Sequence, residues 1–202
     1  MAGGIGGYTW DFRVARYRGP DGRLVSRLAV RDALDRAILA LRNQARANAA
    51  SYRAGSISLD EWEASMRQIV KDTHLLNTVA ARGGFDQMTD TEYGRIGAVV
   101  REQYAYLDQF TAGIANGAVP LDGRFDVRAA MYADAGRGTY EGDVAAQQQE
   151  VGATEERSVL HPADHCEDCL AEAAKGWQPL GTLIPIQQRQ CLTNDACTMD
   201  YR

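Results

Sequence analysis

The chain has 202 residues, of which 45% are hydrophobic, and it carries a formal net charge of −5. This length and composition suit one substantial core, or a helical domain with a small appendage. The opening segment lacks the basic flank and apolar run of a signal peptide, and no apolar stretch approaches the roughly 20 residues that span a bilayer. We therefore expect folding in a cytoplasm and no membrane partner.

Charge is distributed unevenly along the chain. Residues 1–57 hold ten arginines and four aspartates, a net charge of +6, so residues 58–202 carry −11. A basic N-terminal third is suited to phosphates or to an acidic protein surface, whereas a molecule this acidic overall is not a general nucleic-acid coat. A solvated or protein-binding face is the favoured interpretation.

The N-terminal segment has the pattern of a short β-hairpin. Apolar and polar residues alternate over residues 8–15, and residues 19–22 have the composition of a turn, so we predict a β-hairpin or arm over residues 1–26. An isolated hairpin is marginally stable in water. Its aromatic face, which includes Trp10 and Phe12, must therefore pack on the chain's own helices or form an interface with a neighbouring subunit.

Residues 27–150 show helical periodicity and predict a core of three to four helices, which makes the fold mainly α. Ser26 is the expected N-cap of the first helix, whose polar face displays the interface candidates Arg31 and Arg42. Capping boxes at Ser58 and Thr89 predict the starts of the second and third helices. The first helix is predicted from Ser26 to Gly55, the second from Ser58 to Gly83, and the third from Thr89 to Asn116.

A fourth helix is expected to start near Arg124. Gly136 and Gly138 interrupt its pattern, and each costs a helix interior roughly 1 kcal/mol relative to alanine. We therefore predict a break or bend at these glycines.

All four cysteines lie in the C-terminal segment, residues 151–202, in the pattern Cys166-x2-Cys169-x21-Cys191-x5-Cys197. A Cys-x-x-Cys pair places two thiolates on adjacent corners of a zinc tetrahedron, and a second pair about twenty residues later closes the site. The spacing of five in the second pair is wider than usual. His165 and His161 are therefore reserve ligands. The pattern predicts a small loop module stapled by a structural zinc ion, with the intervening loop built around Trp177.

Other states of the cysteines remain open at this point. Disulfides are rare in cytosolic chains, although a particle that leaves the cell can keep them. A redox Cys-x-x-Cys centre lacks its usual βαβ surroundings, and unligated buried thiols are the remaining alternative. Four cysteine ligands leave no open coordination position, so we do not expect catalysis at the metal. The chain also lacks a Gly-x-Ser-x-Gly elbow, a His-Glu-x-x-His motif and a phosphate loop, so we do not expect an enzyme.

Several stretches resemble a group of tailed-bacteriophage virion proteins related to minor head and head-morphogenesis proteins. The resemblance is carried by RYRGPDGRLVS, GSISLDEW, FDQMTDTEYGRIG, MYADAGRGTYE and HCEDCLAEAAKGWQPLGTLIPI, followed by the later cysteines. It implies a virion protein assembled in the host cytoplasm, with the four cysteines matching the family's cysteines. The implied partners are the major capsid protein or the portal protein, other copies of the chain within a particle, and packaged DNA through the basic N-terminal third.

The function we predict is therefore a capsid cement or minor head protein that acts through protein interfaces. The alternative is a small zinc-containing nucleic-acid-binding regulator. Against this alternative, residues 151–202 contain four basic and eight acidic residues, a net charge of −4.

Overall fold

The computed structural model describes residues 4–202, apart from the side chain at position 193, and the mainly α fold is confirmed. Residues 1–3 of the predicted arm lie outside the described part of the chain. The helices are α1 (Arg27–Arg53), α2 (Leu59–Arg82), α3 (Asp90–Ala115), α4 (Gly123–Asp134), α5 (Arg137–Glu150) and α6 (Glu167–Ala174). The strands are β1 (Thr9–Asp11), β2 (Arg16–Arg18), β3 (Leu24–Val25), β4 (Glu155–Val159), β5 (Gln178–Pro179) and β6 (Thr198–Tyr201).

The predicted capping residues set the helix boundaries. The Ser26 side chain accepts a hydrogen bond from the amide of Ala29 and begins α1. Ser58 with Glu61, and Thr89 with Glu92, form reciprocal capping boxes at the starts of α2 and α3. These side chains satisfy amide groups that the first turn of a helix leaves without a partner.

The N-terminal strands form an antiparallel sheet in the order β1-β2-β3 that packs on the chain's own helices. Trp10 and Tyr17 pair across β1 and β2, with ring centroids 4.8 Å apart, and both are buried. The Tyr17 hydroxyl donates to the carbonyl of Ala81 in α2 at 2.6 Å. The hairpin was predicted to pack either on the chain's own helices or on a neighbouring subunit, and in this structure it packs on the chain's own helices.

The four helices α1, α2, α3 and α4 share a core that contains several aromatic side chains. Trp62, Phe110 and Phe125 are buried with ring centroids 5.3–5.7 Å apart. Small residues let α1 and α4 approach each other closely, and all of these are buried: Ala45, Ala49, Ala129 and Ala133. Within residues 4–202, no helix combines the length and apolarity needed to cross a membrane.

The break predicted near Gly136 is present, since α4 ends at Asp134 and α5 begins at Arg137. Its physical reason is close packing against α2. A Cβ at Gly136 would lie 2.2 Å from Nδ2 of Asn77 and 2.6 Å from Cγ2 of Thr73. A larger residue at position 136 would force the side chains of Asn77 and Thr73 to move.

The C-terminal segment contains more regular structure than the predicted loop module. β4 pairs antiparallel with both β5 and β6, in the order β5-β4-β6, and α6 packs beside this sheet. The residues of β4 that face inward are Glu156 and Ser158, which are polar, so the strand has no alternating apolar pattern in the sequence. The sheet is therefore not apparent from the sequence.

Candidate metal centre

The four cysteines come from two segments that the C-terminal sheet brings together. Cys166 is the N-cap residue of α6, and Cys169 lies in the first turn of that helix. Cys191 and Cys197 flank a short 3-10 turn, Leu192–Asn194, which leads into β6. The pairing of β4 with β6 therefore places the second cysteine pair beside the start of α6.

The donor atoms form two groups that share Cys169. Cys166, Cys169 and Cys191 form one group, and His165, Cys169 and Cys197 form the other, with all donor atoms of each group within 4.8 Å of one another. The Sγ of Cys169 lies 3.4 Å from that of Cys166 and 3.5 Å from that of Cys191. The structure therefore brings the two cysteine pairs together, but neither group contains all four cysteines, since Cys197 lies in a different group from Cys166 and Cys191.

These separations fit the geometry of a metal site. A disulfide needs an S–S separation of about 2.05 Å, and the sulfurs here are too far apart for such a bond. Zinc–sulfur bonds of about 2.3 Å give a tetrahedron with sulfur–sulfur edges of roughly 3.8 Å, close to the distances around Cys169. The Cys and His groups near the C-terminus can therefore hold a metal ion.

His165 is placed as a fifth donor. Its Nε2 lies 2.8 Å from the carbonyl oxygen of His161, which only accepts hydrogen bonds, so the proton of this contact is on Nε2. Nδ1 is therefore the ring nitrogen available to a metal, and it lies 3.7 Å from Sγ of Cys197. A ring nitrogen fixed in this way by a backbone carbonyl is typical of histidines that bind metals.

His161, the other reserve ligand, belongs to neither group. Its Nε2 instead pairs with Oγ1 of Thr198 at 2.8 Å. Its contribution to the centre is the backbone carbonyl that orients His165.

The thiols differ in how readily they ionise. The backbone N–H of Cys169 stabilises the Cys166 thiolate and lowers its pKa to about 7. Burial raises the pKa of Cys197 to about 12, and burial together with the Cys169 side chain raises the pKa of Cys191. Because cysteine binds a metal as a thiolate, the positive charge of a bound cation would favour ionisation of Cys191 and Cys197.

Two charged residues beneath the cysteines were not identified by the sequence analysis. The side chains of Arg189 and Asp195 are fully buried, with Nε of Arg189 3.9 Å from Oδ2 of Asp195. Nη1 of Arg189 and Oδ1 of Asp195 each lie 3.9 Å from Sγ of Cys169. Arginine and aspartate are usually exposed, so a sequence without a fold gives no sign of this burial.

Helices α1 to α5, called the helical body below, hold the metal centre by hydrogen bonds to its backbone carbonyls. Arg27 in α1 donates to the carbonyl of Met199, and Arg137 in α5 donates to those of Asp195 and Cys197. Arginines of the helical body thus hold both sides of the last cysteine.

The predicted interface residues occupy different environments. Trp10 is buried in the chain's own core, while Phe12, two residues later, is half exposed. Arg31 and Arg42 form ion pairs within the chain, with Asp35 and Asp134 respectively. Trp177 is half buried between the guanidinium groups of two arginines, Arg157 and Arg202, at 4.8 and 4.5 Å from its ring centroid. Of the three aromatic candidates, Phe12 is the most exposed.

Comparison with known proteins finds no relative of this chain. No family model, curated protein or solved structure matches the chain.

Proposed function

We propose that this chain is a structural protein of a tailed-bacteriophage particle, either a capsid cement or a minor head protein, in which a structural zinc ion fastens the C-terminal module. The observation that carries this proposal is the crowded donor set around Cys169. The four cysteines and His165 supply donors in two groups that share Cys169. Structural zinc sites are closed by four protein ligands, whereas catalytic sites keep a position for water. In this proposal the four cysteines close the coordination sphere, so the proposed role is non-enzymatic.

In this proposal, zinc is held by thiolates of Cys166, Cys169, Cys191 and Cys197, with His165 in reserve. When bound, the ion supplies the positive charge that keeps buried thiols ionised, and it links α6 to the segment before β6. Such a link compensates for a small core, since a segment of about fifty residues buries little apolar surface.

The assignment to a particle is supported by the resemblance of the sequence motifs given above to those of minor head proteins, and by exposed apolar residues suited to an interface. On and just before α4, Leu121, Val127 and Met131 are about half exposed. The partners we propose are the major capsid protein or the portal protein, together with other copies of the chain. Arg36 and Arg46, which are exposed on α1, are available to packaged DNA.

The alternative, a zinc-containing nucleic-acid-binding regulator, has less support. Each basic residue of residues 151–202 lies within 4.0 Å of an acidic partner in the chain. The pairs are Arg157 with Asp200, Lys175 with Glu172, Arg189 with Asp195, and Arg202 with Glu155. These carboxylates neutralise the charges that would attract phosphates beside the metal centre.

Particle composition tests the proposal directly. Particles made by the phage or prophage that encodes the chain are purified on a density gradient, treated with protease and nuclease, and analysed by mass spectrometry. We expect the chain in intact particles at a fixed ratio to the major capsid protein. Its absence from particles, with the chain abundant in the lysate, would contradict the proposal. Salt-dependent retention of DNA by the isolated protein on a filter would instead favour the regulator.

A further inference from the structure

The geometry points to Arg189 as the buried countercharge of the metal centre, a positioning residue that donates a hydrogen bond from Nη1 to the thiolate of Cys169. This inference rests on the proposed zinc site and adds to it a residue that no cysteine or histidine pattern identifies. Arg189 lies two residues before Cys191, and its side chain is 0% exposed.

Neutral groups hold most of the Arg189 guanidinium in place. Nε donates to the carbonyl of Ile184 at 3.1 Å, and Nη1 donates to Oγ of Ser158 at 3.0 Å. Nη2 lies 3.6 Å from Sδ of Met199. These contacts fix the orientation of the guanidinium without balancing its charge.

Asp195 balances this charge only in part. Its Oδ2 is 3.9 Å from Nε of Arg189, beyond hydrogen-bonding distance, and also accepts from the amide of Gln187 at 3.3 Å. Its Oδ1 accepts from the amide of Cys197 at 3.0 Å. A buried cation without a close, hydrogen-bonded anion is strongly unfavourable, so the guanidinium needs a second negative group.

That second group is the cysteine cluster. Nη1 of Arg189 is 3.9 Å from Sγ of Cys169, the one residue that belongs to both donor groups. A zinc ion with three thiolates and one histidine carries a net charge of −1, and with four thiolates −2. Oδ1 of Asp195 lies at the same distance, 3.9 Å, from Sγ of Cys169 and adds a negative charge there. The guanidinium therefore offsets negative charge of both Asp195 and the thiolates, and these groups together stabilise the buried guanidinium. Hydrogen bonds of this kind tune thiolate metal centres.

A cobalt-substituted protein tests this inference, because Co²⁺ reports on ligand number and on the thiolate lone pairs separately. Arg189→Met keeps a long side chain but removes the charge and the donors. We expect the sulfur-to-cobalt charge-transfer band to shift to lower energy while the tetrahedral d–d bands keep their intensity. We also expect zinc affinity to fall by about 10–100-fold, the usual effect of removing an outer hydrogen-bond partner, and alkylation by N-ethylmaleimide to accelerate.

The matched control is Arg157→Met, which removes an arginine from the neighbouring strand β4. Arg157 is partly exposed and pairs with Asp200, away from the cysteines. Its replacement should change neither the charge-transfer band nor the alkylation rate. Arg189→Lys, which keeps a cation and N–H donors, should restore part of the wild-type band position.

If Arg189→Met does not fold because Asp195 is left as an unbalanced anion, the double variant Arg189→Met/Asp195→Asn removes both buried charges. This variant should fold and still show the shifted band. A band position and alkylation rate equal to wild type in the folded double variant would overturn the role of Arg189. Wild-type protein that binds neither zinc nor cobalt would overturn the proposed zinc site and this inference together.

Discussion

Arg137, the first residue of α5, donates a hydrogen bond to the backbone carbonyl of Cys197, the last cysteine of the candidate metal centre. The same guanidinium also reaches the carbonyl of Asp195. The backbone on both sides of residue 196 is thus fixed by a helix of the body. Stability of the helical body and geometry of the metal centre are therefore coupled through this arginine.

Replacing Arg137 with glutamine should weaken that coupling. The shorter neutral side chain leaves buried carbonyls without their charged donor, which costs about 1–3 kcal/mol in the free energy of unfolding. Denaturant unfolding of zinc-loaded protein measures the change. Arg124→Gln, at a largely exposed arginine that pairs with Asp122, is the control and should have little effect. Equal losses from the two substitutions would count against the coupling.

Acid should destabilise the junction between α2 and α3 through Glu92. Burial alone would raise the pKa of Glu92, but hydrogen bonds from Arg82 and Thr89 outweigh it and lower the pKa from 4.5 to about 2. The carboxylate therefore stabilises the fold above pH 4.5, and this contribution of about 3 kcal/mol is lost as pH falls from 4.5 towards 2.

The measurement for Glu92 is the free energy of unfolding as a function of pH for wild type and Glu92→Gln. The variant should be less stable at pH 7 and should show a shallower loss of stability below pH 4.5. Glu102→Gln, at an exposed position of α3, should retain the wild-type slope. A Glu92→Gln curve parallel to wild type would show that the ion pair does not carry this pH dependence.

Two glycines near α5 should respond in opposite directions to alanine. A Cβ at Gly136 would overlap Asn77 and Thr73 in α2, so Gly136→Ala should destabilise by about 1–3 kcal/mol through overpacking. A Cβ at Gly142, in the interior of α5, meets nothing within 4 Å. Gly142→Ala should therefore stabilise by about 0.5–1 kcal/mol. Thermal unfolding of both variants checks the signs, and destabilisation by both would contradict the packing described here.

Removing the metal should loosen the C-terminal sheet before the helical core. The buried cluster that contains Cys169, Leu183 and Cys197 shares no residue with the aromatic cluster around Trp62. After treatment with a chelator, hydrogen exchange should accelerate in β4 and β6 while α2 and α3 keep their protection. Uniform acceleration along the chain would mean that the two regions unfold as one unit.

The sequence predicts the helices well because their ends depend on local chemistry. Ser26, Ser58 and Thr89 are capping residues whose hydrogen bonds are made within a few positions, so their role does not depend on the rest of the fold. The proximity of the two cysteine pairs was also predictable, since the spacing of metal ligands is itself a local pattern.

Features that depend on distant contacts could not be predicted in the same way. The polar residues Glu156 and Ser158 point inward from β4 and are held there by hydrogen bonds. Glu156 accepts hydrogen bonds from the amides of Gly181 and Leu183, and Ser158 accepts one from Arg189. A period-2 apolar pattern is absent as a result. Trp10 differs, because the alternating apolar and polar residues around it do predict a buried face. The pattern does not show which surface covers that face.

Zinc content of reduced, freshly purified protein tests the account most directly. We expect one zinc ion per chain in wild type, and loss of that ion in Cys169→Ser, because Cys169 belongs to both donor groups. His161→Ala, at a histidine outside both groups, should keep its zinc. A reduced wild-type protein that is folded at its C-terminus and contains no zinc would contradict the proposed staple.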